Sequence, residues 1–191
     1  KNILAKSYGI KTGEALWQAR DKCPSLVVVP PNYPLYLRYA RMARQIYSDY
    51  TGRIEPFGLD EAWLDVSGDN GELVANEIRE RIKRELGVTV SIGVSFNKVF
   101  AKLGSDYKKP DATTVISGDN YKELVWPLPV EDLLYVGHAT KAKLNRIGIT
   151  TIGQLAGMPM PLLHSHFGKV GSVLYAFAHG LDQSPVARLG E

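Results

Sequence analysis

Cysteine is all but absent from these 191 residues: Cys23 stands alone. That excludes an internal disulfide and any thiolate cluster for a structural zinc, and it fits a reducing cytoplasm. Flanking Pro24, Cys23 reads as a small core residue rather than a nucleophile. Long apolar runs are missing too. None approaches the roughly 20 residues of a membrane span, so no membrane partner is expected. The opening Lys1-Asn2-Ile3-Leu4 carries no signal-peptide pattern and no start methionine. It reads as the middle of a structural element, and a fragment of a longer protein is expected. Any excess of one sign of charge is small as well, and a net +3 does not by itself predict nucleic-acid binding. The four histidines all fall late. His164 and His166, two apart, share no helical face, so they do not suggest zinc.

What is present is an apolar share of 45%, enough for one large domain or two small ones. The most informative run is Gly58-Leu59-Asp60-Glu61-Ala62-Trp63-Leu64-Asp65-Val66. Neighbouring side chains of a strand point to opposite faces, so Asp60 and Glu61 converge only if the backbone turns there. Paired carboxylates at a tight hairpin suit Mg²⁺, which takes one or two carboxylates and leaves room for substrate phosphates. Solvated turn residues are the plainer alternative.

Around that run the periodicities alternate. Thr12 is placed to cap a first helix, and Leu26-Val27-Val28-Val29 reads as a short strand stopped by Pro30-Pro31. Tyr36, Tyr39, Ala40, Ala43, Ile46, Tyr47 and Tyr50 form a helical stripe, read as core, opposite Arg38, Arg41 and Arg44. Strands are expected at Arg53–Phe57, Ala62–Val66, Val88–Val94 and Thr113–Ile116. A helix with Leu73, Val74, Ile78, Ile82 and Leu86 inward ends at Gly87, and another is capped by Ser95. This order predicts an α+β fold, a mixed or antiparallel sheet backed by helices. After Ser117 strand signals vanish. Short helices are expected at Tyr121–Val125, Val130–Leu134, Thr140–Ile147, Thr151–Ala156, Pro161–Phe167 and Val170–His179, a small all-helical domain.

Three segments carry a resemblance. Glu55-Pro56-Phe57-Gly58-Leu59-Asp60-Glu61-Ala62-Trp63-Leu64-Asp65, Val90-Ser91-Ile92-Gly93-Val94-Ser95-Phe96-Asn97-Lys98-Val99-Phe100-Ala101-Lys102-Leu103 and Asp106-Tyr107-Lys108-Lys109-Pro110-Asp111 resemble the Y-family translesion DNA polymerases, in the DinB/UmuC-like group. The resemblance covers nearly the whole chain. It implies partial fingers over 1–31, a palm over 32–117 and a thumb over 118–191. It implies two-metal phosphoryl transfer with two Mg²⁺ ions, primer–template DNA and deoxynucleoside triphosphates as partners, and a cytoplasmic, nucleoid-associated monomer. Asp60 and Glu61 match the family's second and third metal carboxylates, Lys109 a lysine that steadies the triphosphate, and Lys6 the place of a triphosphate-contacting arginine. Tyr135-Val136-Gly137-His138-Ala139-Thr140-Lys141-Ala142-Lys143-Leu144 is similar to the family's helix–hairpin–helix. There Gly137, His138 and Thr140 would offer backbone amides to a DNA phosphate, with Lys141 and Lys143 as supporting cations.

Departures accompany the match. The family's first metal carboxylate, on a strand near the N-terminus, has no equivalent here. Ile3 occupies a commonly aromatic position, Gly58 and Leu59 replace Ser and Ile, and Tyr135 replaces a hairpin glycine. The little-finger domain and a sliding-clamp tail, through which a clamp would bind, are not in the sequence. The isolated chain is therefore expected to be a poor catalyst. Two rivals remain: a non-catalytic DNA-binding repair protein with a vestigial palm, and another palm enzyme such as a nucleotidyl cyclase.

Overall fold

The computed structural model describes residues 1–188. They fall into two compact units, Lys1–Leu35 and Tyr36–Glu191. In the first, helices α1 (Ile3–Ser7) and α2 (Leu16–Lys22) enclose a small core of Ile10, Ala19 and Cys23, backed by Ala5 and Leu26. Cys23 is buried, as its setting in the sequence suggested. The Asn2 side chain accepts the Ala5 N–H and caps α1. Thr12 does not cap α2, which starts after Ala15; its hydroxyl accepts from Lys1 Nζ at 2.7 Å. Leu26–Val29 is not a strand, and Val27 and Val29 are 81% and 76% exposed. A β-branched run becomes a strand only where a partner edge and a buried face are at hand.

Helix α3 (Tyr33–Ser48) crosses the unit boundary. Its stripe is core only in part: Ala40 and Ile46 are buried, while Tyr36 and Tyr39 stay exposed. The reason lies in its neighbour. Helix α4 (Gly71–Leu86) brings Ile78 and Ile82 against Ile46, with Ala43, Tyr47, Leu64, Val90 and Ile92 around them, and that cluster reaches no further up the stripe. Asn70 caps α4 by accepting the Leu73 N–H, and Gly87 closes it in the left-handed conformation.

Strands β1 (Ile54–Phe57) and β2 (Glu61–Leu64) pair antiparallel, Ile54 opposite Leu64 and Phe57 opposite Glu61. Strands β3 (Ile92–Ser95) and β4 (Thr113–Ile116) pair parallel, joined by helix α5 (Lys98–Tyr107). The architecture is α+β with helices behind small sheets. The single sheet expected from the sequence is, among the described residues, two two-stranded sheets with no ladder between β2 and β3. Asn97, not Ser95, caps α5, accepting the Phe100 N–H at 2.8 Å; the Ser95 hydroxyl donates to Ile116 O at 2.7 Å. Trp63 ties the hairpin to α5, its indole N–H donating to Lys98 O at 2.9 Å.

Beyond β4 the chain is helical: α6 (Tyr121–Val125), α7 (His138–Arg146), α8 (Ile152–Gly157), α9 (Met160–Phe167) and α10 (Lys169–Ala178). The helix expected at Val130–Leu134 is a 3₁₀ turn, Val130–Asp132. One buried cluster runs from Val99, Phe100, Leu103 and Ile116 into Val125, Leu144, Ile152, Leu155, Leu163 and Leu174. Helix α5 therefore shares its core with the helical segment, while its other face looks toward the hairpin. No described helix is long and apolar enough to cross a membrane.

Candidate functional site

The β1–β2 connection is short because Phe57 pairs directly with Glu61, leaving Gly58-Leu59-Asp60 to turn the chain. Gly58 takes a φ of +70°, a region that glycine enters without penalty. From α3, the Arg44 guanidinium reaches Leu59 O at 3.4 Å. Asp60 thus ends the turn and Glu61 begins β2, and both line one open cavity of about 400 Å³. Lys102, Ser105, Lys109, Pro110 and Asp111 line the same cavity, so the hairpin carboxylates and the expected triphosphate lysine come together.

A chain of ion pairs runs along one wall. Lys102 Nζ stands 3.0 Å from Glu61 Oε1 and 2.5 Å from Asp106 Oδ2. The other Asp106 oxygen holds Lys109 Nζ at 2.6 Å. Burial works against the Lys102 ammonium, but its hydrogen bonds to Asp106 and Glu61 outweigh that and raise its pKa. Burial likewise works against an ionised Asp106, yet Lys102 and Lys109 hold its carboxyl below the usual range.

The loop after Lys109 is anchored from α4. Arg79 donates to Asp111 O and to Asp111 Oδ1, each at 2.7 Å, and Lys83 reaches Asp111 Oδ2 at 2.7 Å. Hydrogen bonds from Lys83 and Arg79 lower the Asp111 pKa. Asn76 Oδ1 accepts from Thr113 Oγ1 at 2.8 Å, and this extends the anchor to β4.

Two adjacent hard-oxygen donors facing an open cavity fit a divalent cation that keeps waters and takes substrate oxygens. Among the described residues no three or more His, Cys, Asp or Glu side chains assemble a metal cage, and of the carboxylates lining the cavity Asp111 is already held by Arg79 and Lys83.

In the helical segment Gly137 precedes α7 with an extended backbone and no side chain caps the helix start. The first turn, His138 to Thr140, lies beyond an exposed Gly137, and Lys143 is exposed. Lys141 is not a bare cation: Glu131 pairs with it at 2.5 Å. Tyr135 adopts a φ of +71°, the left-handed region that favours glycine, and its exposed ring stacks on Phe177 at 5.7 Å. Lys6 lies exposed on α1, within the first unit.

Reasoning from sequence passed over Lys102 and Asp106 as members of the site. The i,i+4 spacing of Lys102 and Asp106, and the i,i+3 spacing of Asp106 and Lys109, were the available signals. What no spacing revealed was Glu61 meeting Lys102 across the gap between hairpin and helix.

Comparisons with known proteins bear on this arrangement. A family model described as the impB/mucB/samB family matches residues 1–106, and one described as the DNA polymerase-iota thumb domain matches residues 131–182. The chain is 60% identical to DNA polymerase IV of Acetivibrio thermocellus across 98% of its own length and 48% of that protein's. It is 41% identical to DNA polymerase IV of Moorella thermoacetica, covering 94% of this chain and 46% of that one. Among solved structures, DinB from Sulfolobus solfataricus superposes with a TM-score of 0.85 at 26% identity, over 97% of this chain and 56% of that one. The insertion ternary complex of Dbh DNA polymerase gives 0.85 at 27% identity, over 97% and 56%. The chain spans about half the length of the curated relatives it matches.

Proposed function

The chain belongs to the impB/mucB/samB family, and from that premise we propose that it serves a DNA-directed DNA polymerase of the translesion type. The hairpin and α5 form the palm site and the segment after Ser117 the thumb; residues 1–31 belong to the fingers. The observation that carries the reading is the convergence of Asp60, Glu61 and Lys109 on one cavity. Primer–template DNA and deoxynucleoside triphosphates are its partners. A 60% identical DNA polymerase IV and the insertion ternary complex of a 27% identical DNA polymerase support this reading.

Bound at Asp60 and Glu61, Mg²⁺ would supply charge neutralisation for the attacking 3′ oxygen and the triphosphate. The residues of the chain do the rest. Asp60 and Glu61 hold hard-oxygen donors at a rigid turn, so little side-chain freedom is lost on binding. Lys109 carries a mobile ammonium that neutralises phosphate charge without a fixed geometry. The Arg79–Asp111 anchor keeps the loop bearing Lys109 beside the cavity. In the thumb, the free amides at the start of α7 meet a DNA phosphate, a contact that positions without reading sequence.

Primer extension by the full-length protein on undamaged and abasic templates with Mg²⁺, beside its Glu61→Gln variant, tests this. Extension that collapses in the variant is the expected result. Intact primer–template binding without extension would instead favour the non-catalytic DNA-binding reading.

A further inference from the structure

We propose that Lys102 is a resident counter-ion of Glu61, displaced when a divalent cation binds, and that Asp106 is the carboxylate that receives it. The inference rests on the proposed metal site and names two positioning residues for it. The geometry is that of one ammonium shared between two carboxylates: Glu61 Oε1 at 3.0 Å and Asp106 Oδ2 at 2.5 Å. These two partners differ in kind. Asp106 lies one turn away on the same helix, so its pairing with Lys102 is built into α5. Glu61 belongs to the hairpin, and its pairing spans two elements. A competitor for Glu61 therefore breaks the second contact and leaves the first.

The exchange asks for no backbone movement. Helix α5 packs closely on β3 at Gly93 and Gly104. The four-carbon lysine stem can turn, and its ammonium carries three donors that re-aim without a fixed plane. Charge accounting points the same way. Along the wall, Glu61 and Asp106 are met by Lys102 and Lys109, two charges of each sign, with both carboxylates still partly open to solvent. A divalent ion at Glu61 makes Lys102 surplus there. Asp106 then holds it more fully, the more so once a phosphate draws Lys109 away from the other oxygen. The device keeps a carboxylate ordered before metal arrives and makes metal and nucleotide binding mutually supportive.

The test is direct Mn²⁺ binding, read by the electron paramagnetic resonance of free Mn²⁺, with neither DNA nor nucleotide present. Lys102→Met should tighten Mn²⁺ binding by about fivefold, the size of a partly exposed ion pair. Asp106→Asn should weaken it, because Lys102 then has Glu61 alone. In the Lys102→Met background the Asp106→Asn change should alter affinity by no more than about twofold. Lys102→Arg, which keeps the charge, should bind Mn²⁺ as the parent does; circular dichroism of each variant reports that the fold is retained. Unchanged or weaker binding in Lys102→Met would overturn the proposal, as would additive effects in the double variant, which indicate a diffuse field. Glu61→Gln separates the two layers. If it loses Mn²⁺ while Lys102→Met matches the parent, the counter-ion role alone fails. If it binds as the parent does, or if the parent binds no Mn²⁺, the metal site fails and the proposal with it.

Discussion

Gly93 of β3 lies against the carbonyl of Ala101 in α5: a Cβ on Gly93 would stand 1.9 Å from that oxygen and 2.5 Å from the Ser105 amide nitrogen. Both are backbone atoms, which cannot turn aside as a side-chain tip can. The same crossing brings Gly104 within 2.9 Å of the Gly93 Cα, measured from the Cβ it lacks. Two glycines thus set the depth at which α5 lies on β3, and with it the reach of Lys102 toward Glu61. Gly93→Ala should cost at least about 1–3 kcal/mol, the usual range for overpacking a tight site. The urea midpoint should fall with the slope unchanged. Gly118→Ala is the control, since a Cβ there meets nothing within 4 Å. Equal midpoints for the two variants would show that α5 retreats freely.

Tyr135 offers a test of backbone strain against side-chain contact. Its φ of +71° costs a residue with a Cβ about 1–2 kcal/mol, while its ring gains a stack on Phe177. Alanine at this position would lose the stack and keep the strain. Glycine would lose both. Tyr135→Gly should therefore be more stable than Tyr135→Ala by about 1 kcal/mol, the reverse of the usual order of these residues. Thermal melts of the two variants check it, and an equal or inverted ranking would mean that the turn relaxes out of the left-handed region.

These two sites also mark where the sequence is and is not legible. Helices α6, α8, α9 and α10 fall within a residue or two of expectation, because their apolar spacing is a local property. Gly87 closes α4 as foreseen, and the Asp60–Glu61 turn is where the alternation breaks. Failures occur where a partner decides. Leu26–Val29 has strand composition without a strand's ladder, and Tyr36 and Tyr39 have helical spacing yet stay exposed. Thr12 and Ser95 are good capping residues, but the cap positions fall elsewhere, at Ala15 and Asn97. At the candidate site, the motifs point to Asp60, Glu61 and Lys109, and these three line one cavity. No motif points to the ammonium of Lys102 between Glu61 and Asp106, since its position depends on how closely a helix packs on a strand.

The Asp111 anchor carries a signed pH dependence. Its hydrogen bonds from Lys83 and Arg79 lower its folded pKa relative to an unfolded value of about 3.9. A lowered carboxylate pKa contributes stability that is present above the unfolded value and is lost as pH falls through the folded one. Lys83, its pKa raised by the hydrogen bond to Asp111, carries the opposite sign. Its contribution is complete below the unfolded lysine value and is lost as pH rises through the folded one. Asp111→Asn should thus lower the melting temperature at pH 7, and the gap to the parent should close as the pH drops below about 4. A gap that persists unchanged at pH 2 would assign the effect to packing rather than to charge.

The proposed thumb contact can be separated from general basicity by salt dependence. Each phosphate neutralised by a protein cation adds about 0.9 to the slope of log affinity against log salt on duplex DNA. Lys143, exposed on α7, should carry a full share, so Lys143→Ala should lower that slope by nearly one. Lys141 should carry less, because Glu131 already meets its ammonium, and that hydrogen bond holds the Glu131 carboxyl below its ordinary pKa. Glu131→Gln releases Lys141 and should both tighten primer–template binding and steepen the slope. Fluorescence anisotropy of a labelled primer–template across a series of KCl concentrations reads both variants. The signs are opposed for Lys143→Ala and Glu131→Gln, so a change in overall folding cannot mimic the pattern. Parallel slopes for every variant would mean that this end of α7 faces solvent rather than DNA, and would move the thumb's contact to another surface.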